Sequence, residues 1–327
     1  MRDTAARTRI GLRTQPRSTE IDTRISVDLK HLQGFRRSAA GLSFLPRQPA
    51  RSVLNGRHAS RLRGRGLNFE ELRGYLPGDD VRSIDWKVTA RTGEPHVRVF
   101  TEERDRPALL VVDQRMSMFF GTRLNMKSVT AAETAALAAF RILDQGDRVG
   151  GIVFGDSVIA EIRPQRSYRA VDQLLTAIAD ANALLKADAP VVDAIPLDRP
   201  LQAVARIARR DHLIIVISDF DGLNNRAETL LGGLSRHNDV LVCVVTDPVA
   251  QDLPDDLRLV ISDGELQTEI DTRSGPVRKN IAEFSRGRLA EISRWTKRFG
   301  IPVMPLSAGE ETHSQVRRYL GHAASHA

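Results

Sequence analysis

The 327-residue chain lacks most of the residues and motifs on which familiar enzyme chemistries depend. It has one cysteine, Cys243, which excludes an intrachain disulfide framework and any zinc site built from several cysteines. Because Cys243 lies in the apolar run Leu241–Val245, we expect a small buried hydrophobic residue in a reducing compartment. The chain has no Gly-x-x-x-x-Gly-Lys-Ser/Thr loop, no His-Glu-x-x-His and no Gly-x-Ser-x-Gly. These absences argue against P-loop ATPases, zinc proteases and α/β-hydrolases.

Long apolar runs are also missing. The longest lie around Leu213–Ile217 and Leu241–Val245 and are strand-sized, well short of the roughly 18 residues that a membrane-spanning helix needs. The first 20 residues contain no apolar segment of the kind found in secretory signals. We therefore expect a cytoplasmic location, with any membrane contact made through a membrane-anchored partner.

Charge is distributed unevenly along the chain. Residues 1–66 carry 15 Lys and Arg against 4 Asp and Glu, whereas the remainder carries 33 against 37. A basic N-terminal arm of this kind indicates either a solvated arm or a contact with nucleic acid, an anionic membrane or an acidic partner. The most basic part contains only two aromatic residues, Phe35 and Phe44, so it is poorly suited to stacking on single-stranded nucleic acid.

The patterning predicts three regions. Residues 1–25 are polar without periodicity, which favours a disordered tail. Residues 26–106 are interpreted as an Arg-rich and strand-rich subdomain, anchored by Asp85-Trp86 because a tryptophan can bury a large area. Over 107–322, continuous apolar strands alternate with helical patterns. This alternation predicts an α/β fold with a doubly wound, mostly parallel sheet.

Two carboxylates follow apolar strands in this last region. In a doubly wound sheet, ligands bind beyond the carboxyl ends of the strands, where the strand order reverses. With strand order 3-2-1-4-5-6, Asp113 after the first strand and Asp219 after the fourth lie at neighbouring strand ends. Ser117 follows on the same loop as Asp113, and two carboxylates with hydroxyls suit Mg²⁺. Lys127, at the start of the next helix, is interpreted as solvated.

Longer stretches resemble known families. The segment Phe69–Arg91 (FEELRGYLPGDDVRSIDWKVTAR), together with Gly146–Gly150, resembles the bacterial "domain of unknown function 58" proteins. Asp113–Met118 with Ser218–Phe220 resembles the von Willebrand factor A domain. The resemblance extends over about Leu62 to Leu320 and implies a von Willebrand A-like domain preceded by the small strand-rich subdomain and the basic arm.

The resemblance implies a divalent metal site made by a D-x-S-x-S motif, a threonine and an aspartate. Asp113, Ser117 and Asp219 match this pattern, and we call the surface around them the strand-end face. Arg115 replaces the first serine, however, and Val191–Gln202 contains no threonine. A fixed positive charge about 4 Å from a dication costs roughly 8 kcal/mol at an effective dielectric of about 20. The site is therefore either a degenerate Mg²⁺ site or a metal-free one in which the guanidinium bridges the two aspartates.

The resemblance also implies a function. Members of the family are typically paired with MoxR-type AAA+ ATPases, so we expect a non-enzymatic, chaperone-like adaptor that helps to mature or remodel client proteins. It would dock through the strand-end face, with Arg115 as a partner contact. Asp79 and Asp80 are candidate partner contacts too, although their place after Pro77-Gly78 also predicts a structural turn.

Two other functions stay open. The basic arm favours nucleic-acid or anionic-membrane binding as the main alternative. A metal-dependent hydrolase using Asp113 and Asp219 is the least favoured, because no base or nucleophile can be named beside them.

Overall fold

A computed structural model describes most of the chain outside the basic arm. The predicted tail up to residue 21 lies outside the described residues, as do Asp79 and Asp80. The described residues are 22–42, 67–76, 81–102, 106–156, 159–186, 193–250, 258–262, 267–271 and 288–320 without 289 and 296.

The helices and strands alternate over most of the chain. In chain order they are α1 (Leu29–Gly34), β1 (Leu67–Gly74), α2 (Trp86–Thr92), β2 (His96–Glu102), β3 (Pro107–Asp113), α3 (Lys127–Asp144), β4 (Arg148–Phe154), β5 (Ile159–Gln165), α4 (Tyr168–Ala183), α5 (Asp198–Ile207), β6 (Leu213–Ser218), α6 (Asn225–Leu234), β7 (Asp239–Thr246), β8 (Arg258–Ser262), β9 (Gln267–Asp271), α7 (helical residues within 288–299), β10 (Val303–Ser307) and α8 (Thr312–Leu320). Among the described helices, none is long and apolar enough to cross a bilayer.

A six-stranded sheet with order β10-β7-β6-β3-β4-β5 forms the centre of the molecule. All its neighbours pair in parallel except β4 and the edge strand β5. Counted from β3, this is the predicted order 3-2-1-4-5-6. The central strand β3 is buried at every position, which explains its unbroken apolar sequence, because helices cover both faces of a parallel sheet. The predicted α/β fold is confirmed.

Two apolar layers cover the sheet. On β3, Leu110 and Val112 face a layer made by α1, α3, α4 and α8, whereas Leu109 and Val111 face a layer made by α5, α6 and α7. This alternation is the period-two pattern of a strand. In α3, 15 of 18 residues are buried, and its many alanines allow it to lie close against the sheet.

The N-terminal segment of residues 22–42, within the basic arm, packs on this core. Val27, Leu32, Ala39 and Leu42 are buried in the same apolar cluster as α3 and α4. Residues 22–42 are thus packed with the domain predicted over 107–322, whereas the sequence analysis grouped residues from 26 onward with the strand-rich subdomain. The physical reason is that their apolar side chains are covered by α3 and α4, not by the first strand pair.

The small strand pair is held by a capped turn. β1 and β2 pair antiparallel, and the buried Asp85 accepts hydrogen bonds from the amides of Lys87 and Val88 at the start of α2. Trp86 is 68% exposed, so the expectation that it anchors this subdomain by burial is wrong. The carboxylate of Asp85, which caps α2, fixes the turn instead.

The buried thiol gives a direct test of the core. Cys243 on β7 is fully buried, and burial raises the pKa of its thiol, so little reactive thiolate reaches solvent. We expect a thiol reagent at about pH 8 to label the native protein very slowly and the denatured protein fully. Cys243→Ser provides the baseline without label. Rapid labelling of the native protein would contradict the buried position of β7.

Candidate functional site

The carboxyl ends of β3 and β6 bring the predicted residues together. The two strands run parallel, with Val112 opposite Ile217, so the residues that follow them meet at one edge. Asp113 is fully buried and Asp219 is 4% exposed. Ser117 lies beside them, with its hydroxyl 3.5 Å from Asp219 Oδ1. The spatial proximity expected from the strand order is therefore present.

Arg115 folds back into this site. Its Nε donates to Asp113 Oδ1 at 3.0 Å and its Nη2 to Asp113 Oδ2 at 2.7 Å. The same Nη2 lies 3.9 Å from Asp219 Oδ1. Nη2 also donates to the carbonyl of Asp221 and Nη1 to that of Ile195. With its side chain only 3% exposed, Arg115 lies between the two aspartates.

A second cation completes the site. Lys127 Nζ donates to Asp219 Oδ2 at 2.7 Å, and the lysine side chain is only 13% exposed. The expectation that Lys127 is solvated is therefore wrong, because the first turn of α3 lies at the same sheet edge as the two aspartates. Ser218, which the sequence analysis did not single out as a site residue, donates its hydroxyl to Asp113 Oδ2 at 2.6 Å. Two carboxylates and two cations thus balance in charge.

The protonation of the site follows from burial and pairing. Burial raises the pKa of Asp113, and Arg115 and the Ser218 hydroxyl oppose this effect. Burial alone would raise the pKa of Asp219, but Lys127 and the backbone amide of Asp221 bring it below its usual value. Burial alone would lower the pKa of Arg115, yet the nearby aspartates raise it, so the guanidinium stays charged.

These residues do not fit a divalent metal ion. Both oxygens of Asp113 and Oδ2 of Asp219 already accept hydrogen bonds from Arg115, Ser218 or Lys127. A dication about 4 Å from each fixed cation would meet roughly 8 kcal/mol of repulsion from each at an effective dielectric of about 20. Where the A-domain pattern has a threonine, the carbonyl of Ile195 accepts from Arg115. Within the described residues, no group of three or more His, Cys, Asp or Glu could hold a metal ion.

An apolar rim lies on the loop between β3 and α3, which also carries Arg115 and Ser117 of the charged site. Its members are the partly exposed side chains of Met116, Phe119, Phe120 and Leu124. We call these four residues the apolar rim.

The loop that carries the rim is held by polar contacts. Asp247 accepts from the amide and the hydroxyl of Thr122 at 2.8 and 2.6 Å, and Asp156 accepts from the Met116 amide at 2.7 Å. A Cβ on Gly121 would overlap the carbonyl of Asn125, so the close approach of the loop at this point requires glycine. The rim is therefore presented on a tightly fixed loop.

The protein is therefore an α/β domain that carries a site of paired charges at the edge of its sheet. The chain belongs to the family described as "Protein of unknown function DUF58", which matches residues 71–290. It is similar to "Uncharacterized protein Rv1480" of Mycobacterium tuberculosis, with 30% identity over 283 residues that cover 85% of this chain and 86% of that protein.

The similarity of this chain to solved structures is weaker than its similarity to the mycobacterial relative. The conserved hypothetical protein BatB from Bacteroides thetaiotaomicron has a TM-score of 0.39 and 15% identity, covering 64% of this chain and 93% of that one. The SpRpn10 VWA domain has a TM-score of 0.35 and 11% identity, covering 66% and 95%. No functional argument rests on these likenesses.

Replacing the guanidinium tests its role in the site. We expect Arg115→Ser to lower the free energy of unfolding by about 3–5 kcal/mol, because it leaves Asp113 as an unpaired buried charge. The serine also restores the first hydroxyl of the metal motif, and Lys127→Ala removes the remaining cation, so Mg²⁺ should raise the melting temperature of Arg115→Ser/Lys127→Ala in a concentration-dependent way. The wild-type melting temperature should be equal in Mg²⁺ and in EDTA.

Two controls accompany these melts. Arg206→Ala removes the cation of an exposed pair with Glu161, whose side chains are 70% and 40% exposed, and should cost at most about 1 kcal/mol. Adding Asp219→Asn to Arg115→Ser/Lys127→Ala should remove the Mg²⁺ effect. Stabilisation of the wild type by Mg²⁺ that is lost in Asp113→Ala would show that an ion, and not the guanidinium, fills the site.

Proposed function

We propose that this protein is a non-enzymatic adaptor that binds a partner protein through the strand-end face without a bridging metal ion. The observation that supports this proposal most is the paired burial of Asp113 with Arg115 and of Asp219 with Lys127. Carboxylates that are paired and buried in this way are poorly placed to act as a base or nucleophile, because a catalytic group must reach its substrate. The hydrolase alternative is accordingly disfavoured.

The apolar rim is the part of the face that would contact the partner. Its methionine and phenylalanine side chains are of the types enriched in the cores of protein interfaces, and apolar anchors in such cores supply much of the binding energy. Because Asp247 and Asp156 already fix the loop, little conformational entropy would be lost on binding. The exposed Arg123 next to the rim favours a partner surface that is apolar with an acidic edge.

We further propose that the partner is a MoxR-type AAA+ ATPase, with which the protein acts on client proteins. The support is the sequence resemblance over Phe69–Arg91 and the family to which the chain belongs. In this scheme the ATPase supplies the energy, and the adaptor supplies a rigid docking surface and the link to the client. Asp79 and Asp80 stay candidate contacts to either protein.

A pull-down of the full chain tests both proposals. The tagged protein is incubated with native lysate, treated with nuclease, in Mg²⁺ and ATP, and the bound proteins are identified by mass spectrometry. We expect an AAA+ ATPase of the MoxR type in the wild-type eluate. The double variant Phe120→Ala/Leu124→Ala should reduce its recovery at least about tenfold, since two apolar anchors are lost.

The matched control is another exposed ring. Tyr319 on α8 is 47% exposed and is not a member of the apolar rim, so Tyr319→Ala should leave recovery of the ATPase unchanged. Equal losses in both variants, or no ATPase in the wild-type eluate, would contradict the proposal. If the bait retains only nucleic acid, and only when nuclease is omitted, binding through the basic arm becomes the better explanation.

A further inference from the structure

The N-terminal segment, residues 22–42, is anchored to the core by polar as well as apolar contacts. His31 Nε2 lies 2.8 Å from Glu133 Oε1 on α3, and the other oxygen of Glu133 accepts from Thr312 of α8. Gln33 donates to Asp172 on α4 at 2.9 Å. These contacts of the segment reach two helices, α3 and α4, and Thr312 of α8 holds the Glu133 side chain from its other oxygen.

One set of buried hydrogen bonds leads from this segment toward the charged site. The hydroxyl of Ser26 and the amide of Val27 both donate to Asn182 Oδ1 at 2.9 Å. Asn182 Nδ2 donates to Gln114 Oε1 at 2.9 Å, and Gln114 Nε2 donates to the carbonyl of Ser128 at 3.0 Å. Asn182 and Gln114 are each 1% exposed.

The position of Gln114 in the chain makes this path relevant to the site. Gln114 stands between Asp113 and Arg115, and its amide donates to the carbonyl of Phe154 at 2.7 Å. Both ends of its side-chain amide are engaged. Because a buried polar group left without a partner is costly, rotation of this backbone away from the site is opposed by the contacts of Asn182 and the N-terminal segment.

A second contact reaches the other ion pair. The amide of Met126, which precedes α3, donates to the carbonyl of Arg24 at 2.8 Å. Met126 is the N-cap residue of α3, and its side chain makes no capping hydrogen bond. The amides at the start of a helix have no acceptor within the helix, and the N-terminal segment supplies one for the Met126 amide. The next residue is Lys127, which pairs with Asp219.

We propose that the N-terminal segment is a clamp that positions the strand-end face, with Asn182 and Gln114 as positioning residues. The segment reaches the neighbour of one ion pair, Gln114, through Asn182, and it contacts the neighbour of the other, Met126, directly. Loss of the path through Asn182 loosens the loop that carries the apolar rim and weakens partner binding, whereas loss of an anchor elsewhere in the segment does not. The part of this inference that concerns binding rests on the proposed function; the part that concerns the loop does not.

Hydrogen exchange of the full-length protein tests the clamp without any partner. We expect Asn182→Ala to speed amide exchange in residues 114–126 by about tenfold, because local opening becomes easier when a buried contact is lost. The matched control His31→Ala removes an anchor of the same segment that does not lead to Gln114. It should increase exchange within 22–42 and leave 114–126 nearly unchanged.

The variants Asn182→Ala and His31→Ala also distinguish a positioning role of Asn182 from a general loss of stability. Their free energies of unfolding are compared by denaturant titration, and exchange is compared under conditions of equal stability. The clamp is overturned if exchange in 114–126 is the same in Asn182→Ala and the wild type, or if His31→Ala raises it equally. A tenfold loss of ATPase binding in Asn182→Ala supports the link to docking. Altered exchange with unchanged binding refutes that link and leaves the clamp standing.

Discussion

The pairing of two buried aspartates with two cations is the constraint on which the rest of the sheet edge depends. Adjacent parallel strands place Asp113 and Asp219 beside each other, where like charges repel and burial penalises both. Arg115 and Lys127 make this arrangement stable at close range. Arg115 also donates its backbone amide to Asp113 Oδ1 and its guanidinium to the carbonyl of Asp221, so it joins the loops that follow β3 and β6.

The fold could be predicted from the sequence because the apolar pattern of each strand and helix lies within a short stretch of residues. Strands such as β3 and β6 are continuous apolar runs, and the general rules for parallel sheets then make Asp113 and Asp219 neighbours. The role of Lys127 could not be predicted, because a lysine at a helix start is compatible with either solvent or a nearby carboxylate. The choice depends on how far the helix start lies from the neighbouring strand end, and only the folded structure fixes that distance.

The packing of residues 22–42 was harder still to predict. Val27, Leu32, Ala39 and Leu42 lie among many polar residues, and their burial depends on surfaces of α3 and α4 that are more than 80 residues away. Trp86 is the opposite case, because tryptophan side chains are usually buried whereas this one is exposed. In both cases, contacts between distant parts of the chain decide whether the side chain is buried.

The two hydrogen-bond partners of Glu133 are synthesised at very different times on the ribosome. One carboxylate oxygen pairs with His31, made early, and the other with Thr312, made almost 180 residues after Glu133. Since domains begin to fold while synthesis continues at about 5–20 residues per second, Glu133 stays half satisfied for roughly 10–40 seconds of translation. During that interval Thr312, which donates to the second oxygen of Glu133, has not yet been synthesised.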